Sequence, residues 1–285
     1  MSRRITASTR LAAVIGDPVR HSLSPALHNA AYASAALDWM MVAIPAAAGT
    51  GSAMVDLVRC HDLGGLAVTM PLKSEVADAV DRLDPAAAAL RSVNTVVADP
   101  DGPLGMSTDG DGFVASLRSA GHEPSGARVV VLGAGAAARS IVDALGRAGV
   151  ASLAIHNRTA SAASEAAGLA AQAITVDEVG LVQACAAADI IVNTTSVGMG
   201  AADASGDMPL GPELLSREHV VADIVYHPLA TPLLVAARSV GADVVDGLGM
   251  LVHQAALQCL AWTGVEVDTA AMRAAAEAEL ASRHR

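Results

Sequence analysis

One stretch constrains the fold more than any other: residues 128–149, Arg-Val-Val-Val-Leu-Gly-Ala-Gly-Ala-Ala-Ala-Arg-Ser-Ile-Val-Asp-Ala-Leu-Gly-Arg-Ala-Gly. Four apolar residues form a short β-rich run. A glycine turn follows, and then a segment of helical periodicity. Gly133-Ala134-Gly135-Ala136-Ala137-Ala138 has the form G-x-G-x-x-A. The first glycine permits a tight turn, the second admits a diphosphate close to the backbone, and the small third residue lets the helix lie against the sheet. Free N–H groups and the positive dipole end of the helix then face the phosphates. Such a unit commits this part of the chain to a parallel α/β sheet and points to a dinucleotide. The other reading of the turn is the same fold without a ligand.

The next strand, within 151–159, ends in Asn157-Arg158-Thr159. NAD-binding sheets usually place an acid about 20 residues beyond the glycine turn, on the ribose 2′-hydroxyl. No acid stands here, and an arginine can clamp a 2′-phosphate. NADP is therefore favoured and NAD less so, unless Arg158 is a solvated loop residue. Further strands are expected within 188–199, 219–226 and 241–247, with alanine-rich helices between them and helix over 248–285.

Ahead of residue 110, strands are expected at 10–16, 39–45 and 65–70, the last stopped by Pro71. Helices are expected at 24–37, with Ser24 as N-cap and Pro25 at the first turn, and at 72–80. Residues 92–99 and 102–109 flank a Pro/Asp/Gly turn and read as a hairpin. The expectation is an α/β protein of two domains. Residues 1–110 form an α/β substrate domain with a mostly parallel sheet, 111–247 a Rossmann domain for NADP, and 248–285 helices that pack back on the first domain.

A chain of 285 residues suits two domains. Its 53% of apolar residues exclude intrinsic disorder. No run approaches about 18 apolar residues, so no membrane span is expected. The first ten residues lead into no apolar segment of a signal peptide. A net charge of −11 without a basic run argues against nucleic acid. Cys60, Cys185 and Cys259 are few and scattered, which fits a reducing cytoplasm rather than a disulfide framework or a zinc site. No histidine pair has metal spacing, and no metal is expected. His21, His28, His156 and His253 read as core or helix-face residues.

The composition also isolates one cation. There are 63 alanines and 17 arginines but a single lysine, Lys73. An arginine cannot release a proton at working pH, whereas a lysine can. The lone lysine is either a proton-transfer group or an accident of bias. The four asparagines, Asn29, Asn94, Asn157 and Asn193, and the two tyrosines, Tyr32 and Tyr226, are similarly rare. In His21-Ser22-Leu23-Ser24-Pro25, an extended backbone would turn Ser22 and Ser24 to one side at the mouth of a helix, a small site for a carboxylate. Ser24 as a plain helix cap is the other reading.

Taken together these segments resemble the shikimate dehydrogenase family. The resemblance is carried by Val14 through Asn29, by Leu66-Ala-Val-Thr-Met-Pro-Leu-Lys73, by Val93-Asn94-Thr95 and by Ser107-Thr108-Asp109-Gly110. It continues through Gly133–Ala138, Asn157-Arg158-Thr159, Asn193–Met199, Asp223–Tyr226 with Pro228 and Thr231-Pro232, and Gly247–Gln254. It spans residues 11 to 264 in the family's order.

The resemblance implies NADP-dependent, reversible reduction of 3-dehydroshikimate to shikimate. It implies Ser22 and Ser24 on the substrate carboxylate with Tyr226 nearby, and Thr69, Asn94 and Gln254 on ring hydroxyls. Lys73 and Asp109 would be the catalytic pair. Gly133, Ala134, Gly135, Ala136 and Ala137 would meet the cofactor, with Asn157, Arg158 and Thr159 at its 2′-phosphate. Thr194, Met199 and Gly247 complete the implied cofactor contacts, and the long loop after Met199 would lie near the nicotinamide. The partners implied are small molecules, with the protein a monomer or homodimer.

Three positions depart from the family pattern. Ala67 stands where the family has Asn, Ser107 where it has Asn, and Ala160–Ala163 supply no second basic residue after Arg158. The first two bear on the ring substrate and the third on the strength of the NADP preference. A quinate or aminoshikimate dehydrogenase therefore stays open, as does an NADP-binding sensor without catalysis, although a sensor needs neither Lys73 nor Asp109.

Overall fold

The computed structural model describes residues 5–200 and 207–283. The chain divides into two compact units. One comprises the residues to Thr108 and those from Val252 onward; the other is Asp109–Leu251.

The first unit is built on strands β1 (Arg10–Gly16), β2 (Trp39–Pro45), β3 (Gly65–Val68), β4 (Arg82–Leu83), β5 (Thr95–Val97) and β6 (Leu104–Met106). Their order is β2-β1-β3-β5-β6-β4. The junctions of β1 with β2 and β3, and of β4 with β6, are parallel. β5 is antiparallel to both neighbours, and with β6 it makes the expected hairpin. Helices α1 (Ser24–Ser34), α2 (Gly51–Cys60), α3 (Lys73–Ala79) and α4 (Pro85–Leu90) connect the strands. Leu66, Val68, Leu72, Val76, Val93 and Val96 share one apolar core with Val55 and Val58 of α2.

The second unit carries β7 (Arg128–Leu132), β8 (Ser152–His156), β9 (Ala173–Thr175), β10 (Ile190–Asn193), β11 (Val220–Asp223) and β12 (Asp243–Val245). All are parallel, in the order β12-β11-β10-β7-β8-β9. This is the doubly wound order with the chain reversing at β7 and β10, where such sheets bind nucleotides. Helices α5 (Asp109–Ser119), α6 (Ala136–Arg147), α7 (Ala160–Ala167), α8 (Glu178–Ala187) and α9 (Pro232–Ser239) complete it. Strand alternation divides the core: Val129 and Val131 of β7 join Phe113, Leu117, Ile141 and Leu145, while Val130 and Leu132 join Leu181 and Leu234. α5 seats on α6 because Gly110 has no side chain; a Cβ there would collide with the Ser140 carbonyl. The chain ends in α10 (Gly247–Thr263) and α11 (Thr269–Ser282), and α11 packs on α1.

Several local expectations change. α1 ends at Ser34 rather than residue 37, and its N-cap is Leu23, not Ser24. β3 stops at Val68, two residues short of expectation. Its last hydrogen bonds give way to a turn in which the Leu72 amide donates to the Thr69 carbonyl. Helices α2 and α4 and strands β4 and β9 have no counterpart in the expectations from sequence.

Candidate active site

In the first unit the serine segment is a turn, not an extended strand: the Ser22 amide donates to the Val19 carbonyl at 2.9 Å. The turn still brings the two hydroxyls together. The Ser22 hydroxyl donates to that of Ser24 at 3.1 Å and accepts from the Ser24 amide at 3.2 Å. Ser24 makes no helix cap, so its hydroxyl is spent on Ser22 and not on the helix. Four residues on, the His28 ring sits 2.8 Å from the Ser24 carbonyl through Nδ1.

Thr69 and Lys73 follow the carboxyl end of β3. Both are half-buried, and Lys73 is the first residue of α3. The Lys73 carbonyl accepts from the Val93 amide at 3.0 Å, which ties the start of α3 to the residue before Asn94.

Asn94 is the hub of a buried polar cluster and only 3% exposed. Its Oδ1 accepts from the Thr108 amide and the Thr95 hydroxyl, both at 2.8 Å. Its Nδ2 donates to the Thr108 hydroxyl at 3.0 Å and reaches Gln254 Oε1 at 3.5 Å. The Thr108 hydroxyl also lies 3.2 Å from the Gln254 carbonyl. Two residues absent from the sequence-based site complete the cluster. Gln258 Nε2 donates to the Asn94 carbonyl at 3.1 Å and to the Thr95 hydroxyl at 3.0 Å. Trp262 Nε1 donates to the Val96 carbonyl at 3.0 Å. Gln254, Gln258 and Trp262 recur every four residues, so one face of α10 lies along residues 94–96. That polar stripe within an otherwise apolar helix was a signal available in the sequence.

In the second unit Asp109 is the first residue of α5, half-buried. Gly133 has φ +107°, and a Cβ there would stand 2.6 Å from the Thr194 hydroxyl. Its amide donates to the His156 carbonyl at 2.8 Å, and Thr194 donates from its hydroxyl to the Leu132 carbonyl at 2.7 Å. Gly135 is the N-cap of α6 without a side-chain cap, and a Cβ there would meet nothing within 4 Å. Gly135 and Ala136 are exposed while Ala138 is fully buried against the sheet. An uncapped helix start with open space before it and glycine where a side chain would intrude fits a dinucleotide diphosphate.

Arg158 and Thr159 are exposed at the end of β8, and Asn157 Nδ2 donates to the Thr159 carbonyl at 3.0 Å. Met199 is 66% exposed. Residues 201–206 of the loop after it lie outside the described residues. Tyr226 is half-buried just beyond β11. Gly247 has a packing reason of its own, because a Cβ would run into the backbone of Ile224 and Val225.

A second buried cluster, with no role expected from sequence, braces the ends of β10 and β11. Asp223 Oδ1 accepts from Asn193 Nδ2 and from the Val225 amide, both at 3.0 Å, and Oδ2 accepts from the Thr231 hydroxyl at 2.8 Å. Burial raises the Asp223 carboxyl above its ordinary range against the pull of those donors. Asn193 Oδ1 in turn accepts from the amide and hydroxyl of Thr195. The loop leaving the switch point is thereby fixed at its root.

Comparison with known proteins adds to this geometry. Residues 14–96 match the model of the shikimate dehydrogenase substrate binding domain. Residues 116–200 match that of shikimate / quinate 5-dehydrogenase, and 247–277 that of the shikimate 5′-dehydrogenase C-terminal domain. The chain is 43% identical to a shikimate dehydrogenase (NADP(+)) of Rubrobacter xylanophilus, over 97% of this chain and 98% of the relative. It is 39% identical to that of Moorella thermoacetica, over 94% and 93%. A crystal structure of shikimate 5-dehydrogenase from Listeria monocytogenes, in complex with shikimate and NAD, superposes with a TM-score of 0.89 at 32% identity, covering 96% of this chain and 98% of that one.

Proposed function

The chain belongs to the shikimate dehydrogenase family, and from that premise we propose that it catalyses the reversible, NADP-dependent reduction of 3-dehydroshikimate to shikimate. What carries the reading is identity of 43% along nearly the whole length of an NADP(+)-dependent relative, joined to an open glycine turn at the switch point of a doubly wound sheet.

The Ser22 and Ser24 hydroxyls, with Tyr226, bind the ring carboxylate. Thr69, Asn94 and Gln254 bind ring hydroxyls and so orient the carbonyl. NADPH, held at the glycine turn, would supply hydride to the carbonyl carbon. Lys73 stabilises the oxygen as it gains charge and gives it a proton, a contribution of about 10²–10⁴ in rate. Asp109 orients the ammonium and shares its proton, and in the reverse direction Lys73 takes the proton back from the hydroxyl. The glycine turn at Gly133–Gly135 and the start of α6 to Ala137 hold the diphosphate, with Thr194, Met199 and Gly247 as further contacts. Asn157, Arg158 and Thr159 hold the 2′-phosphate. A single arginine there makes the NADP preference modest. The same proposal places the protein in the cytoplasm as a monomer or homodimer; the cysteines Cys60, Cys185 and Cys259, none in a disulfide, support the compartment.

A quinate-type ring is the second reading. It is favoured by the small buried residues Ala67 and Ser107, 4% and 5% exposed, at two positions where an amide stands in the family. The test is NADP+ reduction followed at 340 nm with shikimate, quinate and an amino-substituted ring acid, each repeated with NAD+. Shikimate with NADP+ is expected to give the highest kcat/KM. A larger value with quinate moves the assignment to the second reading. A flat trace on every ring acid, with NADP+ still bound, leaves a sensor without catalysis.

A further inference from the structure

We infer that His28 and Gln258 are positioning residues which lock the carboxylate-binding serine turn and the hydroxyl-binding Asn94 segment into one frame. The inference rests on the substrate contacts proposed above for Ser24 and Asn94. Neither His28 nor Gln258 can touch a substrate, since they are 0% and 1% exposed. Each acts through a neighbour.

The hydrogen bonds fix both orientations. A carbonyl only accepts, so His28 Nδ1, 2.8 Å from the Ser24 carbonyl, carries the ring proton. Burial lowers the pKa of the ring to about 4. The imidazole is thus neutral at working pH, and Nε2 is a bare acceptor. Gln258 gives both amide hydrogens to the Asn94 carbonyl and the Thr95 hydroxyl. A flipped amide would set its oxygen against the Asn94 carbonyl, so the orientation is forced. Gln258 Oε1 and His28 Nε2 are then two buried acceptors with no hydrogen-bond partner among the described residues. Were the ring protonated, Gln258 would accept a hydrogen bond from it.

The pair therefore stands where α1 meets α10. His28 follows Ser24 by one turn, and Gln258 follows Gln254 by one turn. The His28 ring rests against Trp262, with centroids 5.2 Å apart. Trp262 is itself fastened to the Val96 carbonyl. Ser24, His28, Trp262 and the Asn94–Val96 segment form a continuous line from one proposed end of the substrate to the other, with Gln258 fastening Asn94 and Thr95 from the same face of α10. The bonds made by His28 Nδ1, Gln258 Nε2 and Trp262 Nε1 resist displacement, because breaking them in a dry interior strands their partners where no water replaces the lost bond. This frame would hold the two grips at the spacing of one ring acid.

The experiment is steady-state kinetics of the full chain carrying His28→Leu, His28→Asn, Gln258→Leu, Gln258→Met or Asn94→Ala. His28→Leu and Gln258→Leu are expected to raise the KM for shikimate about tenfold and leave the KM for NADP+ within about twofold. His28→Asn keeps an N–H near the place of Nδ1 and is expected to recover the shikimate KM to within about threefold of wild type. Where either leucine variant does not fold, the near-isosteric Gln258→Met carries the same expectation. A wild-type shikimate KM in folded His28→Leu or Gln258→Met overturns the inference, provided Asn94→Ala raises that KM. Equal losses for shikimate and NADP+ without rescue by His28→Asn also overturn it, since they mark general destabilisation. An unchanged shikimate KM in Asn94→Ala removes the substrate reading itself, and the inference with it.

Discussion

The small-molecule contacts proposed for the two units are of opposite kinds. In the first, the proposed contacts are side chains set in a buried polar cluster: Asn94 alone meets Thr95, Thr108, Gln254 and Gln258. In the second, the proposed contacts are mostly backbone at an exposed turn, and Gly135 has open space before it. A buried hydrogen-bonded cluster is selective because an unmatched group in it loses a bond without gaining water, at about 1–3 kcal/mol. A helix start with free amides binds phosphate whatever is attached to it. Substrate identity should therefore be encoded in the first unit and cofactor class in the second, with the fine choice of cofactor left to a few exposed side chains.

The sharpest break of that contrast is Lys73→Arg. Charge is kept and proton transfer is lost, so kcat is expected to fall by about 10²–10⁴ while shikimate affinity, measured by titration, stays within a few-fold. Retained turnover would remove Lys73 from the chemistry.

Next in size is the pH dependence of the first unit. His28 titrates near 6.5 when unfolded and near 4 when folded. The unfolded chain therefore binds a proton first as pH falls. Stability present above pH 6.5 is lost progressively between 6.5 and about 4, by roughly 3 kcal/mol at the lower end. Denaturant midpoints at pH 7 and pH 4.5 should show this loss in the wild type and a smaller one in His28→Asn.

Gly133→Val tests the backbone side of the comparison. With φ at +107° and Thr194 close by, a β-branched residue is strained and displaces the turn. NADP+ binding should weaken at least tenfold, with about 1–3 kcal/mol lost from unfolding. The smallest expected change is Arg158→Ala. It should raise the KM for NADP+ about tenfold, leave that for NAD+ nearly unchanged and not alter thermal stability, because the side chain is exposed.

What was readable in advance followed the range of the interaction. The glycine turn, the strand before it and the helix after it lie within some twenty residues and are dictated by local sterics. They appear at β7 and α6 as expected. The pairing of Ser22 and Ser24 was foreseen from spacing two apart, yet the backbone there is a turn, so the expectation succeeded for a different reason. The three-residue strand β9 has too few residues to show alternation, and helix α4 is a single alanine-rich turn and a half with no periodic pattern to read.

The residues themselves, in order, specified an α/β chain, a dinucleotide turn, an arginine where NAD-binding sheets carry an acid, and a lysine rare enough to single out. Folding alone set Gln258 of α10 against Asn94, 164 positions away, and buried His28 between a carbonyl and an indole. Local periodicity reports which face of an element is apolar. It carries no record of which distant polar group will share that face, because that pairing exists only once burial has stripped both partners of water.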